Sequence, residues 1–365
     1  MKPEQIYDRK CTIVLGVPVD CLTMEQALDR IIEFTDKPSG TQNHLVATLN
    51  VDFLVNSLLM FHSKPLHAEL LNVLRETSLV LADGMPIVWL SRLIGAPLPE
   101  RVAGSDLVPL LAERAAACGK KIYLLGGKTE NTNHAAKVLT EQFPNLQIAG
   151  IDTPMVDLSS ASAPETDRLI CDKINKSGAD ILLIGFGAPK QELWFSRNRE
   201  QLQTPVAIGV GGTFNFICGS VKRAPSVMRK TGAEWIYRII AEPRRLWKRY
   251  LTGLIKFNFM AFCVIFVSTI LRCTAWLMRL IGLSPSAVEE NVDSDFGVRV
   301  DLKRVIYLDP DALCRMWQVS RECHSRNLNF EITGVSPLMR YWLKINRMWD
   351  AFAPMVNQKT KQNKR

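Results

Sequence analysis

Two glycine-rich stretches are the parts of this sequence best suited to chemistry. GFGAPKQE, Gly185 to Glu192, runs from an apolar stretch into QELWFSRNRE. The turn would expose backbone amides around Gly185 and Gly187 at the start of a helix, where a phosphate can bind. Lys190 would add charge, and Gln191 and Glu192 carry groups that can bind a sugar or a base. GVGGTFNFICG, Gly209 to Gly219, is a second loop open to close approach, with Gly211 and Gly212 at its turn. Either loop alone could be an ordinary turn; two of them at neighbouring strand ends point to a nucleotide site. Asp83, next to Gly84, could accept a proton from an attacking hydroxyl or simply form a turn or helix cap. Thr48 and Asn50 follow an earlier apolar run, and Arg101, Gly104, Ser105 and Asp106 open a later helix.

Several chemistries are excluded. Gly185, Gly187 and the residues after them do not make the dinucleotide pattern GxGxxG, and no Walker A, HExxH or GxSxG motif occurs. The five histidines form no spaced set. Two DxD triplets, Asp293 to Asp295 and Asp309 to Asp311, lie far along the chain from the glycine loops. No metal and no cofactor is therefore expected, and cationic side chains would stabilise a departing diphosphate.

The elements that must hold these residues follow from the hydrophobic pattern. Apolar runs end at Leu49, Ala82, Gly126, Gly187 and Gly212, a further one lies around Gly150, and helical stretches stand between them. That alternation predicts an α/β fold, a Rossmann-like, largely parallel sheet, whose ligands bind beyond the carboxyl ends of the strands. Ser105 to Ala117 reads as an amphipathic helix with Ser105 as N-cap and Gly119 as stop. Composition, 47% hydrophobic and 22% charged over 365 residues, is that of a globular protein with room for two folded units.

The net charge of +9 is concentrated late, where ten Lys and Arg residues between Lys222 and Lys256 meet only Glu234 and Glu242. Such a segment suits an anionic partner or forms a solvated helix face. Phe257 to Leu271 is an uncharged stretch of about fifteen residues, short of the roughly twenty that span a bilayer. Between Lys256 and Arg272 it reads as a surface-embedded anchor, ahead of a membrane span or a buried oligomer contact. Ser284 to Asp295 reads as an unpatterned linker. After it, VRVDLKRVIYLD predicts two short strands, Asp311 to Asn327 a helix, LNFEITG a strand and PLMRYWLKINRMW a last helix. The expected organisation is a core over 1–219, a basic helical appendage over 220–253, a hydrophobic segment over 254–283, a linker over 284–296, a small α/β module over 297–354 and a basic tail over 355–365. The nine cysteines, with no CxxC pair, read as reduced thiols, and no apolar run near the N-terminus suits a signal peptide.

TLNVD (Thr48 to Asp52), LADGMPIVW (Leu81 to Trp89), RVAGSDL (Arg101 to Leu107), GFGAPKQELW, GVGGTFNFICG, KRAP (Lys222 to Pro225) and GAEWIYRIIAEPRRLWKRY (Gly232 to Tyr250) together resemble the WecG/TagA/CpsF family of bacterial glycosyltransferases, glycosyltransferase family 26. The likeness covers about residues 11–250. It implies an inverting, metal-independent transferase that uses a UDP-sugar, carrying N-acetylmannosamine, its uronic acid or a hexose, and a polyprenyl-diphosphate-linked acceptor in cell-surface polysaccharide synthesis. By the same resemblance Asp83 is the general base, and Thr48, Asn50, Arg101 and Gln191 line the site. Arg238 and Arg245, on an appendage that closes over the site, would touch a diphosphate. Beyond Tyr250 the module resembles a truncated STAS domain, with Asp311 where a phosphorylatable serine would stand, which suits a constitutive docking or oligomer contact.

The implied location is the cytoplasmic face of the plasma membrane, peripheral or monotopic. No module for nucleic acid occurs. The competing expectation is a catalytically silent scaffold that binds lipid-linked sugars and recruits partners through the module.

Overall fold

The structure is a computed structural model that describes residues 10–36, 43–57, 68–158, 163–225, 228, 234–241, 243–280, 289–293, 297–303, 305 and 307–356. In chain order the elements are β1 (Cys11–Val14), β2 (Val17–Asp20), α1 (Met24–Thr35), β3 (His44–Leu49), α2 (Val51–Ser57), α3 (Ala68–Glu76), β4 (Leu79–Ala82), α4 (Met85–Leu93), α5 (Gly104–Cys118), β5 (Lys121–Leu125), α6 (Thr129–Gln142), β6 (Gln147–Asp152), α7 (Ala163–Ser177), β7 (Ile181–Ile184), α8 (Lys190–Asn198), β8 (Val206–Gly209) and α9 (Thr213–Ile217). They continue with α10 (Glu234–Ala241), α11 (Pro243–Leu280), β9 (Glu289–Asp293), β10 (Gly297–Asp301), α12 (Pro310–Ser325), β11 (Asn329–Thr333), α13 (Pro337–Ile345) and α14 (Trp349–Phe352). Two compact units form: Leu22–Val88 with Pro99–Ile255, and Met1–Cys21 with Trp89–Leu98 and Lys256–Arg365.

The first unit is built on a sheet of order β4-β3-β8-β7-β5-β6, parallel at every pairing. Strands β3, β4, β7 and β8 are buried along their whole length, as expected when helices cover both faces of a parallel sheet. Side chains alternate across it. Val46, Leu124, Leu183 and Ile208 pack with Leu28, Leu107, Leu111, Leu139 and Phe214 on one face. Leu45, Leu125, Leu182 and Ala207 pack with Val73, Ile174, Trp194 and Phe195 on the other. All six apolar runs read from the sequence form strands, and their order makes β4, β3, β8 and β7 consecutive neighbours.

Local capping sets the helix starts. Thr23 and Gln26 form a reciprocal capping box on α1. Helix α5 starts one residue earlier than expected, at Gly104 after Ala103, so Ser105 is not its N-cap; Gly119 does end it, at φ 67°. Helix α8 is fixed from beneath by the buried Asp167. This carboxylate accepts hydrogen bonds from Trp194 Nε1 (2.8 Å) and Asn198 Nδ2 (3.1 Å) and pairs with Arg197.

The second unit holds the antiparallel hairpin β1–β2, whose turn residues Leu15 and Gly16 both have positive φ, 48° and 86°, the geometry of a tight primed turn. Its sheet has the order β11-β10-β9, with β10 parallel to β11 and antiparallel to β9. Val300, Leu302, Trp317, Ile332, Trp342 and Phe352 share a core with Ile13 of the hairpin. The sequence reading needs correction in three places here. The stretch read as a linker carries strand β9, because its residues find β10 as a pairing edge. VRVDLKRVIYLD yields only β10 among its described residues. And the expectation of nine reduced thiols fails at Cys11 and Cys314, which are joined in a disulfide although 303 residues apart; β1 lies along α12, and both residues are buried there. The other seven cysteines are free.

Pro243 is the first residue of α11, a position where its missing N–H costs nothing. Within α11, Leu251–Leu277 is long and apolar enough to cross a membrane by length and composition, with a mean hydropathy of 2.1.

Candidate active site

The two glycine turns are tied to each other by one side chain. Gln191, in the first turn of α8 and 1% exposed, accepts with Oε1 from Gly187 N (3.1 Å) and from Gly211 N (3.0 Å). Its Nε2 donates to Glu192 Oε1 (2.7 Å). The turns after β7 and β8 are thereby clipped together, and two of the amides offered to a phosphate by the sequence are already used. Gly187 and Gly211 sit at φ 79° and 53°, in the left-handed region that glycine tolerates. Gly209 is a glycine for another reason: a Cβ there would collide with the Gln191 amide and the Glu192 carboxylate.

Glu192 is wholly buried, and its Oε2 has no hydrogen-bond partner among the described residues. Burial pushes its carboxyl up to about 7, against the opposing pull of the hydrogen bond from Gln191. Near neutral pH this group is therefore divided between its neutral and ionised forms.

Asp83 stands immediately after β4, and its Oδ2 accepts from Gly104 N, the first amide of α5, at 3.4 Å. Thr48 closes the same corner: its Oγ1 donates to Gly209 O (2.9 Å), and its side chain lies 3.5 Å from where a Cβ of Gly104 would be. Thr213 touches that point from the other side. Asp83, Thr48, Gly104, Gly209 and Gln191 thus form a continuous rim over the ends of four neighbouring strands.

An ionic network borders this rim. Arg101 donates to Asp106 Oδ2 (2.9 Å) and to Glu234 Oε2 (3.1 Å), so the start of α10 is held to the loop before α5. Arg223 donates to Ser105 Oγ (3.0 Å) and to Asp106 Oδ1 (2.7 Å). Two guanidiniums and two carboxylates balance, and Arg101 and Glu234 are only 15% and 12% exposed. Sequence reasoning named Arg101 and Asp106 together at the start of a helix but not their pairing, and it missed Arg223 and Glu234 as their partners. The one local signal lay in KRAP, where Lys222 and Arg223 have no acidic residue within ten positions.

The remaining expected residues divide clearly. Asn50 caps α2, accepting from Phe53 N at 3.2 Å. Lys190 donates to Val156 O (2.8 Å), which ties α8 to the loop after β6. Gly185 extends the β7 ladder through its amide to Leu125 O (2.7 Å) and lies against the Phe214 ring, and Gly212 precedes α9. Arg238 and Arg245 fall within α10 and α11, but their side chains lie outside the described residues. Asp309 of the second DxD triplet caps α12 through Ala312 N at 2.7 Å.

Residues 12–268 match the Glycosyl transferase WecG/TagA/CpsF family. A Bacillus spizizenii protein named N-acetylglucosaminyldiphosphoundecaprenol N-acetyl-beta-D-mannosaminyltransferase is 33% identical over 180 residues, 49% of this chain and 66% of that relative. A Staphylococcus aureus protein of the same name is 30% identical over 236 residues, 65% of this chain and 85% of that relative.

Proposed function

The chain belongs to the WecG/TagA/CpsF family of glycosyl transferases, and on that footing we propose that it moves a sugar from a UDP-sugar onto a polyprenyl-diphosphate-linked acceptor at the rim above β4, β3, β8 and β7. The observation that carries this is the Asp83 carboxylate at a strand end, oriented by the Gly104 amide and adjoining Thr48 and the clipped glycine turns. Asp83 takes the proton of the acceptor hydroxyl while that oxygen bonds to the anomeric carbon. The bond from this carbon to the diphosphate breaks on the opposite face, its electron pair leaves with UDP, and the configuration inverts.

Cationic side chains take up the charge of the leaving diphosphate. Arg101 is placed for this if the diphosphate displaces Glu234 or Asp106, and a guanidinium fork suits phosphate oxygens. Arg238 and Arg245 join it by the family resemblance. The names of the relatives favour N-acetylmannosamine as the donated sugar and N-acetylglucosamine as the first sugar of the acceptor. No step requires a metal.

A lipid-linked acceptor together with a nucleotide donor supports the cytoplasmic face of the membrane as the place where the enzyme works. The C-terminal module, by its STAS-like pattern, serves as a constitutive docking or oligomer contact; with Asp311 in place of a serine it has no phosphoryl switch.

The test is UDP release by the purified full chain, given a short-chain prenyl-diphosphate-linked N-acetylglucosamine and a panel of UDP-sugars. Release with one donor, lost in Asp83→Ala at unchanged melting temperature, supports the assignment. Full activity in that variant removes Asp83 from it, and silence with every donor favours a scaffold that only binds lipid-linked sugars.

A further inference from the structure

Helix α11 is apolar on two sides, and among the described residues only one of them is covered by protein. Phe257, Met260, Ala261, Val264, Ser268 and Leu271 are buried. Leu271 belongs to the core that contains Val300, Trp317 and Trp342 of the α/β module. On the other side Phe262, Phe266, Ile270, Trp276 and Leu277 are 63%, 54%, 47%, 62% and 56% exposed. At 3.6 residues per turn these five fall within an arc of about 120°, and Phe262 and Phe266 stack along it with centroids 5.8 Å apart. The other exposed residues inside that arc from Phe262 on, Thr269 and Cys273, carry no charge. The exposed cations Lys256 and Arg272 stand at its two borders.

We infer that α11 lies in the plane of the membrane, with the Phe262–Leu277 stripe sunk into the boundary between headgroups and acyl chains of an anionic bilayer and the α/β module covering its cytoplasmic side. Two arguments decide against a transbilayer helix of the same residues. The core that includes Leu271 also ties α11 to a module whose surface carries charges such as Arg299, Arg326 and Lys344. A transbilayer course would drag that surface into hydrocarbon, where charges are strongly disfavoured. The cationic borders, moreover, are where an in-plane helix meets lipid phosphates. In the sequence, Arg244, Arg245, Lys248 and Arg249 precede this stretch and add four positive charges. Binding to a lipid surface would bring the enzyme to the membrane that carries its polyprenyl-linked acceptor. The placement rests on the lipid-linked acceptor only for its purpose, and its readouts are binding and topology, so the two can fail separately.

The experiment has two parts, both on the full chain. In vesicle flotation with phosphatidylcholine and phosphatidylglycerol, the wild type partitions to the lipid, and the double variant Phe262→Glu, Phe266→Glu loses at least tenfold of that partition at unchanged melting temperature. In spheroplasts of an expression host, tags at the N- and C-termini are both protected from added protease until the cells are lysed. Undiminished flotation of the double variant overturns the assignment of the face. Cleavage of one tag in intact spheroplasts overturns the in-plane course. A wild type that ignores vesicles but forms a dimer broken by the same two substitutions shows that the stripe meets a second copy, and the proposal is then wrong.

Discussion

The two sides of the rim are built from different chemistry. Over β7 and β8 the work is done by groups shut off from solvent and without a full charge below pH 7: Gln191 clips two glycine turns, and Glu192, wholly buried, holds the amide in register. Over β4 and the start of α5 it is done by charges with some exposure: Asp83, and the Arg101, Asp106, Arg223 and Glu234 network. The difference separates shape from chemistry. The neutral side fixes the backbone and has nothing to give a substrate without unfastening the turns. The ionic side holds groups whose partners a diphosphate can replace.

The sharpest way to break this comparison is Asp83→Asn, which keeps shape and removes the proton acceptor. It should lower kcat by about 10²- to 10⁴-fold and leave the melting temperature where it was. On the neutral side, Gly209→Ala should cost about 1–3 kcal/mol of stability by overpacking against Gln191 and Glu192, measured by denaturant unfolding. Activity should fall with it as the turns part. Glu234→Gln weakens a partly buried ion pair, so the loss should be about 1 kcal/mol after allowance for screening. It also frees Arg101 for the donor, which should lower KM for the UDP-sugar and leave kcat nearly unchanged.

The smallest effect is a pH signature. A carboxyl raised from 4.5 to about 7 favours the folded state while protonated. That contribution is complete below the unfolded value and is lost as pH rises through the folded one. Glu192→Gln should therefore gain on the wild type in melting temperature between pH 4.5 and about 7 and hold a constant margin above.

Much of the neutral side could be read in the sequence, because parallel strands covered on both faces are continuous apolar runs and their glycine turns follow directly. All six strands and both turns were found this way. The role of Gln191 was not, since an amide that binds a sugar and one that binds two backbone N–H groups look the same in a sequence. The ionic side was legible only in part. Arg101 and Glu234 are 133 residues apart, and nothing local announces that they meet. The same holds for Cys11 and Cys314, and for β9, whose acidic residues become a strand only because β10 offers an edge. Helix α11 shows the limit in another form: both of its faces are apolar, so hydropathy alone does not separate the buried one from the exposed one.

The most direct test of the central claim is the configuration at the anomeric carbon of the product made from an α-linked UDP-sugar, read by the one-bond carbon–hydrogen coupling in NMR. Direct opposite-face attack by a hydroxyl deprotonated at Asp83 requires a β-linked product; an α-linked product would mean retention, by two displacements or by attack on the face the diphosphate leaves, and would contradict the role given to Asp83.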